Sequence, residues 1–336
     1  MTVAAGLSYI QRMGAAVILL AGLAVTLAAA PADFRHSGQD HFFNLEYEDA
    51  IRDFNRLIEQ NPDDPLAYSN LAAAQLFQEL FRLGKLESSA LRGDNQFLQQ
   101  EKPQPDPAVK ARFFETLARG RRVAETLLAR NPRHELAIYA LANNYALEAN
   151  YQFMVDKAWF SALRNGSKAR DHCDRLRKLN PGFIDAYLVL GVNDYVVGSL
   201  PLPVKVLASL GGFRGSKSRG EEYVARVARE GNYARNDARV LLVVLHRREK
   251  RPLEAARQLE DLIRDFPRNY AFGLELGSMY MDAGRNDLAV TVFRGLLDKA
   301  AQDAPGYQRL PRDAVRRRIE KLEADLRPHA ASVRND

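Results

Sequence analysis

Three features of the 336-residue sequence predict an all-α fold, a superhelix of stacked antiparallel helix pairs with insertions and a C-terminal capping helix. One frame recurs four times: a leucine, a proline five residues on, and a second leucine nine residues later, followed by a small residue. The copies are Leu57–Pro62–Leu71–Ala72, Leu127–Pro132–Leu141–Ala142, Leu176–Pro181–Leu190–Gly191 and Leu262–Pro267–Leu276–Gly277, and twelve residues before each proline stand Ala50, Gly120, Ala169 and Ala255. Apolar residues on both sides of each proline recur at three- and four-residue steps, the period of one helix face. No alternating Val/Ile/Thr run competes with that period.

Each element follows from this frame. Residues 1–32 read as a targeting segment: Arg12 is the one charge before Asp33, Gly14–Ala30 is an unbroken apolar run, and Ala30-Pro31-Ala32 offers a cleavage site before Asp33. The expectation is a cleaved signal peptide, with an uncleaved N-terminal anchor as the alternative. Residues 33–300 form the repeat array. Each proline ends one helix, because it lacks an N–H and disfavours α geometry before it. The preceding Asn61, Asn131 and Asn180 suit a helix C-terminus. Upstream, Tyr47, Ala50, Ile51, Phe54 and Leu57 share a face; downstream, Tyr68, Leu71, Ala72 and Gln75 do so on the partner helix. Such a pair cannot bury its apolar face alone and must stack on neighbours.

The prolines are 70, 49 and 86 residues apart. The longer intervals have room for a degenerate repeat or a lengthened hairpin, and extra material is placed near 78–108, 148–164 and 195–220. Asn236–His246 reads as a further helix with Leu242 in the frame-leucine position. The segment Gly198–Pro203 breaks helicity before the apolar stretch Val204–Leu210, read as a linker entering a packed helix. Residues 301–336 form a cap and tail. In Asp313–Leu326, Val315, Ile319, Leu322 and Leu326 share one face, with a charged back suited to covering the last seam.

These residues resemble the tetratricopeptide repeat (TPR) family, whose pattern is W-x2-L-G-x2-Y, A-x3-F, P. After Pro267 the chain supplies Leu276, Gly277, Tyr280, Gly284, Ala289 and Phe293, with Gly273 at the tryptophan position; the first copy supplies Ala50, Phe54, Pro62, Tyr68, Leu71 and Ala72. The resemblance is to a divergent, exported bacterial member with lengthened hairpins. It implies a TPR-like superhelix that binds a protein or peptide in a concave groove.

Catalytic chemistry finds no motif. Gly211–Ser218 imitates a phosphate-binding loop, but Ser216 stands where glycine is needed before Lys217 and no strand precedes it. A helix start capped by Ser218, with Glu221 reaching back, accounts for it better. The six histidines show no metal-ligand spacing. The lone Cys173 matches Phe54 in the frame and reads as a buried, inert thiol. The reading is therefore a non-enzyme with no cofactor and no metal. The net charge of +6 comes with basic runs at Arg119–Arg122, Arg247–Arg251 and Arg312–Arg318, read as solvated helix faces rather than a nucleic-acid surface.

The resemblance places groove residues two before and two after each frame leucine: Ser69, Ala73, Tyr139, Asn143, Leu188, Val192, Val240, Val244, Leu274 and Ser278. TPR proteins that clamp acidic chaperone tails carry lysine and arginine there, whereas this set is apolar or small. An equal alternative is that Asn150–Leu163, with Tyr151, Phe153, Met154, Trp159 and Phe160, fills the groove. The functional expectation is a non-enzymatic protein-interaction scaffold of the bacterial cell envelope or periplasm. Its alternative is a membrane-anchored protein, held through residues 14–30, whose basic faces meet anionic lipid.

Overall fold

The computed structural model describes residues 33–84, 86, 104–200 and 215–332. Residues 1–32, expected to be a targeting segment, Val204–Leu210 and much of the 78–108 insertion lie outside them. The chain divides into two units, Met1–Asp33 and Phe34–Asp336. The second holds thirteen helices among its described residues: α1 (Phe34–Phe43), α2 (Tyr47–Gln60), α3 (Pro65–Arg82), α4 (Pro107–Arg130), α5 (Glu135–Met154), α6 (Trp159–Leu179), α7 (Ala186–Gly198), α8 (Lys217–Glu230), α9 (Arg235–Arg248), α10 (Pro252–Asp265), α11 (Tyr270–Asp282), α12 (Asn286–Ala301) and α13 (Arg312–Ser332). No described residue is in a strand. Every helix packs on the next in sequence, and α5 also touches α3 and α7. That is an all-α solenoid of stacked helix pairs, with a TPR-like fold.

The frame works at atomic level as a turn. Asn61, Asn131, Asn180 and Phe266 are the C-caps of α2, α4, α6 and α10, and their backbone N–H groups donate to the carbonyls of Leu57, Leu127, Leu176 and Leu262. The proline then falls in the bend. Asp64 and Asn269 restart the chain by accepting N–H groups of the first turns of α3 and α11. Frame residues Ala50, Ala72, Ala142, Ala169 and Ala255 have no exposed surface. At Gly277 a Cβ would lie 2.3 Å from the Phe293 ring, so the missing side chain is what admits that phenylalanine.

The position where the TPR pattern has tryptophan has its own role here. Tyr68 and Tyr187 occupy it, and each hydroxyl donates to the carbonyl of its own frame proline, Pro62 at 3.0 Å and Pro181 at 3.2 Å. Gly273 cannot do this, and its side-chain space is taken by Leu296. Tyr307, from the α12–α13 turn, donates to the Pro267 carbonyl at 3.3 Å in its place.

The irregular spacing has two physical origins. In the 86-residue interval lies a hairpin, α8–α9, whose turn contains no proline. The 49-residue interval is absorbed by lengthening, since α5 and α6 run 20 and 21 residues. The extra turns carry Phe153, Trp159, Phe160 and Leu163 to solvent, while Tyr151 is buried. The start of α8 differs from expectation. Ser216, not Ser218, accepts the Arg219 N–H as the cap, and Glu221 turns outward to Arg251. The last helix buries Val315, Ile319 and Leu322 in a cluster with Phe293 and Leu296 of α12.

Contacts between distant parts of the sequence tie the first pair to the α10–α11 hairpin. Arg268 donates to Glu46 at 2.8 Å and to Asp40 at 2.6 Å, and its backbone N–H donates to Asn44 Oδ1 at 3.0 Å. Asn269 donates to the Phe43 carbonyl at 2.7 Å, and the Phe43 and Phe266 rings stack at 4.9 Å. Phe42 and Val240 pack into the same cluster as Val243, Leu276 and Met279.

The expected envelope location with an N-terminal anchor is corrected. No helix among the described residues is long and apolar enough to cross a membrane. The most apolar one, α7, has 13 residues, and at 1.5 Å per residue it spans about 20 Å of the roughly 30 Å hydrocarbon core. Gly14–Ala30, on which the anchor and signal readings rest, lies outside the described residues.

Candidate functional site

The turn ends of three hairpins and the first helix converge on a cleft of about 510 Å³. Its walls are Arg35 of α1, the α2–α3 turn around Asp63 and Asp64, Leu127 at the end of α4, His134 and Leu136 at the start of α5, and Tyr233 in the α8–α9 turn. Arg35 forms an ion pair with Asp64, which fixes the α1 side of the mouth. Leu127, Leu136 and Tyr233 are each half-buried, so the cleft offers apolar surface with polar groups at its rim.

Beneath the Tyr233 wall lies a three-ring cluster. Tyr139 of α5 stands 5.1 Å from Phe183 and 6.1 Å from Tyr233, ring centre to ring centre. The α8–α9 turn that carries Tyr233 is held by Asp185. Its buried carboxylate accepts the backbone N–H groups of Asn232 at 3.0 Å, Tyr233 at 2.8 Å and Ala234 at 2.8 Å. Helix α9 has no side-chain cap of its own. An aspartate at the start of α7 therefore neutralises the N-terminal end of a helix in the next hairpin.

Asp237, in the first turn of α9, keeps exposed surface, yet desolvation, followed by the Asp185 charge, pushes its carboxyl up to about 7 from an ordinary 3.8. A carboxyl raised on folding binds more protons in the folded state, so stability is lost as pH rises from about 4 towards 7. Asp237→Asn is expected to flatten that slope and to raise Tm at pH 7.5, measured by circular dichroism across the pH series; an unchanged slope would contradict the assignment. Burial likewise raises the Tyr139 hydroxyl and pushes the Cys173 thiol up to about 12, leaving it protonated and inert.

The ten residues expected to line the groove fall into three environments. Ser69 and Tyr139 are buried: Ser69 accepts the Asn144 side-chain amide at 3.0 Å, and the Tyr139 ring packs on Phe183. Ala73, Asn143, Leu188, Val240, Val244, Leu274 and Ser278 are half-buried, with the Ser278 hydroxyl donating to the Leu274 carbonyl at 3.0 Å. Val192 is exposed, one turn before the exposed Val196 on the same face of α7. Tyr233, Leu136, Asp185 and Asp237 were not in that set. Only Asp237 carried a signal, as an acid in the first turn of an otherwise apolar helix.

Among the described residues no group of three or more His, Cys, Asp or Glu could hold a metal ion. An array of this kind is characteristically a non-catalytic scaffold.

Residues 37–90 and 241–305 match a tetratricopeptide repeat family profile. No curated protein matches the chain. Among solved structures, the thermophilic TPR protein TTC0263 of Thermus thermophilus is similar at 16% identity, covering 73% of this chain and 95% of that one, with a TM-score of 0.39. Yeast Tom70 is similar at 13% identity and a TM-score of 0.25, covering 90% of each chain. The P58(IPK) TPR domain is similar at 14% identity and a TM-score of 0.25, covering 89% and 99%. The chain thus carries two segments matching the tetratricopeptide repeat within a TPR-like helical-repeat fold.

Proposed function

We propose that this chain is a non-enzymatic interaction scaffold that holds a segment of another protein in the cleft between its hairpin ends. The single observation that carries the reading is the cleft itself. It has about 510 Å³ of space, half-buried Leu127, Leu136 and Tyr233 on its walls, and Asp63 and His134 at its rim. Pockets of this scale bind by burying apolar side chains while a few polar groups fix orientation. A peptide seated against Leu136 and Tyr233 would bury its apolar side chains there and set its polar groups against Asp63 and His134.

Selection of a displayed peptide library against the full chain tests this. Peptides recovered by the wild-type protein are expected to lose about tenfold or more in affinity for Leu136→Glu and for Tyr233→Ala. Recovered peptides that bind both variants as tightly as wild type would place binding elsewhere.

A further inference from the structure

The turn between α5 and α6 presents an apolar surface that the cleft does not use. Phe160 is 91% exposed, Leu163 58% and Trp159 38%, and the Trp159 ring sits edge-on to Phe153 at 4.7 Å. Trp159 and Leu163 are one turn apart on α6, as are Phe160 and Arg164, and Lys168 continues the same face a turn later. Apolar side chains gathered in this way on the surface mark a contact site.

The charges around the strip are not balanced. Asp156 is already held by Lys110 Nζ at 2.8 and 3.0 Å, and Glu148 is paired with Arg121. Arg164 and Lys168 are exposed and form no ion pair among the described residues. Lys168 stands 4.9 Å from the centre of the Tyr145 ring, whose surroundings also include Arg121 at 4.4 Å. The first acid along this face is Asp171, about two turns beyond Leu163. Apolar seats beside surplus positive charge complement a helix with one apolar face and acidic flanks.

We propose that this edge is a second docking surface, separate from the cleft, for an acidic amphipathic helix of a partner protein. The helix's leucine or phenylalanine side chains cover Trp159, Phe160 and Leu163, and its carboxylates meet Arg164 and Lys168.

Trp159 is the only tryptophan in the sequence, so its fluorescence reports directly on the surface. The full chain is titrated with a synthetic helical peptide carrying leucine at i, i+3, i+4 and i+7 and glutamate on its flanks, and with the same peptide carrying lysine for glutamate. The glutamate peptide is expected to shift the emission to the blue and to bind about tenfold or more tightly than the lysine peptide, with an affinity that falls as salt rises. Phe160→Ser and Arg164→Glu are each expected to weaken it about tenfold with Tm unchanged, because both side chains lie in solvent. Leu136→Glu leaves this binding intact, which separates it from the cleft. Equal binding of the two peptides, or wild-type affinity in Phe160→Ser, overturns the proposal. So does an emission shift given only by anionic phospholipid vesicles, or only by self-association of the chain.

Discussion

Replacing Asp185 with alanine is expected to destabilise the protein by about 3–5 kcal/mol. The carboxylate is buried and serves three backbone N–H groups at once, those of Asn232, Tyr233 and Ala234. Hydrogen bonds to a charged group contribute about 1.5–3 kcal/mol each, and donors left without partners add their own desolvation penalty. Relief of the unfavourable Asp237 interaction offsets part of the loss. Asp185→Asn makes the distinction, because its amide oxygen can still accept from the turn while the charge is gone. It is expected to cost about 1–2 kcal/mol and to bring the Asp237 carboxyl down from about 7. Urea unfolding followed by far-ultraviolet circular dichroism measures both variants. A loss below about 1 kcal/mol in Asp185→Ala would show that α9 does not depend on this cap.

The second large effect is expected at Gly220. Helices α7 and α8 approach so closely there that a Cβ would lie 2.5 Å from Tyr195 N, 2.6 Å from the Gly191 carbonyl and 2.8 Å from Tyr195 Cα. All three are backbone atoms, so no side-chain rotation relieves the clash and the helices must separate. Helix propensity alone would favour Gly220→Ala by up to about 1 kcal/mol. Overpacking against rigid backbone costs about 3 kcal/mol and wins. Gly166, inside α6, is the control: nothing lies within 4 Å of its Cβ position. Gly166→Ala is expected to stabilise by about 0.5–1 kcal/mol. The opposite signs of two chemically identical substitutions, read from urea midpoints, test whether contact or propensity governs. If both variants gain stability, the α7–α8 approach is looser than described.

Both residues show where sequence reading stopped. The frame leucines, the proline bends, the asparagine C-caps and the small seam residues were legible, because each effect acts within one helix or one turn. The α9 helix was legible too, from the periodicity of Asn236–His246. The hairpin that contains it was harder, since its turn has no proline and its cap comes from Asp185, 47 to 49 residues earlier. The groove set relied on a position rule, and that rule has no knowledge of which neighbours arrive. Phe183 and Tyr233 pack over Tyr139, so this residue of the expected groove set lies within the core. In Asn150–Leu163 the alternatives were filling the groove or standing at the surface. Tyr151 packs inward on Phe113 at 5.0 Å while Phe160 and Leu163 face water, and periodicity does not distinguish those outcomes.

By itself the sequence determined that this chain is a stack of helix pairs, where each framed pair bends, and that no catalytic motif is written into it. Short-range physics suffices for that: helix period, proline's missing donor, and the need of an amphipathic pair for a neighbour. Tertiary structure alone decided which turns enclose a cleft, which aspartate caps a distant helix, and that Arg268 joins Asp40 and Glu46 across 222 to 228 residues of sequence. Those contacts depend on the summed rotation of many stacked pairs, a quantity that no local pattern encodes.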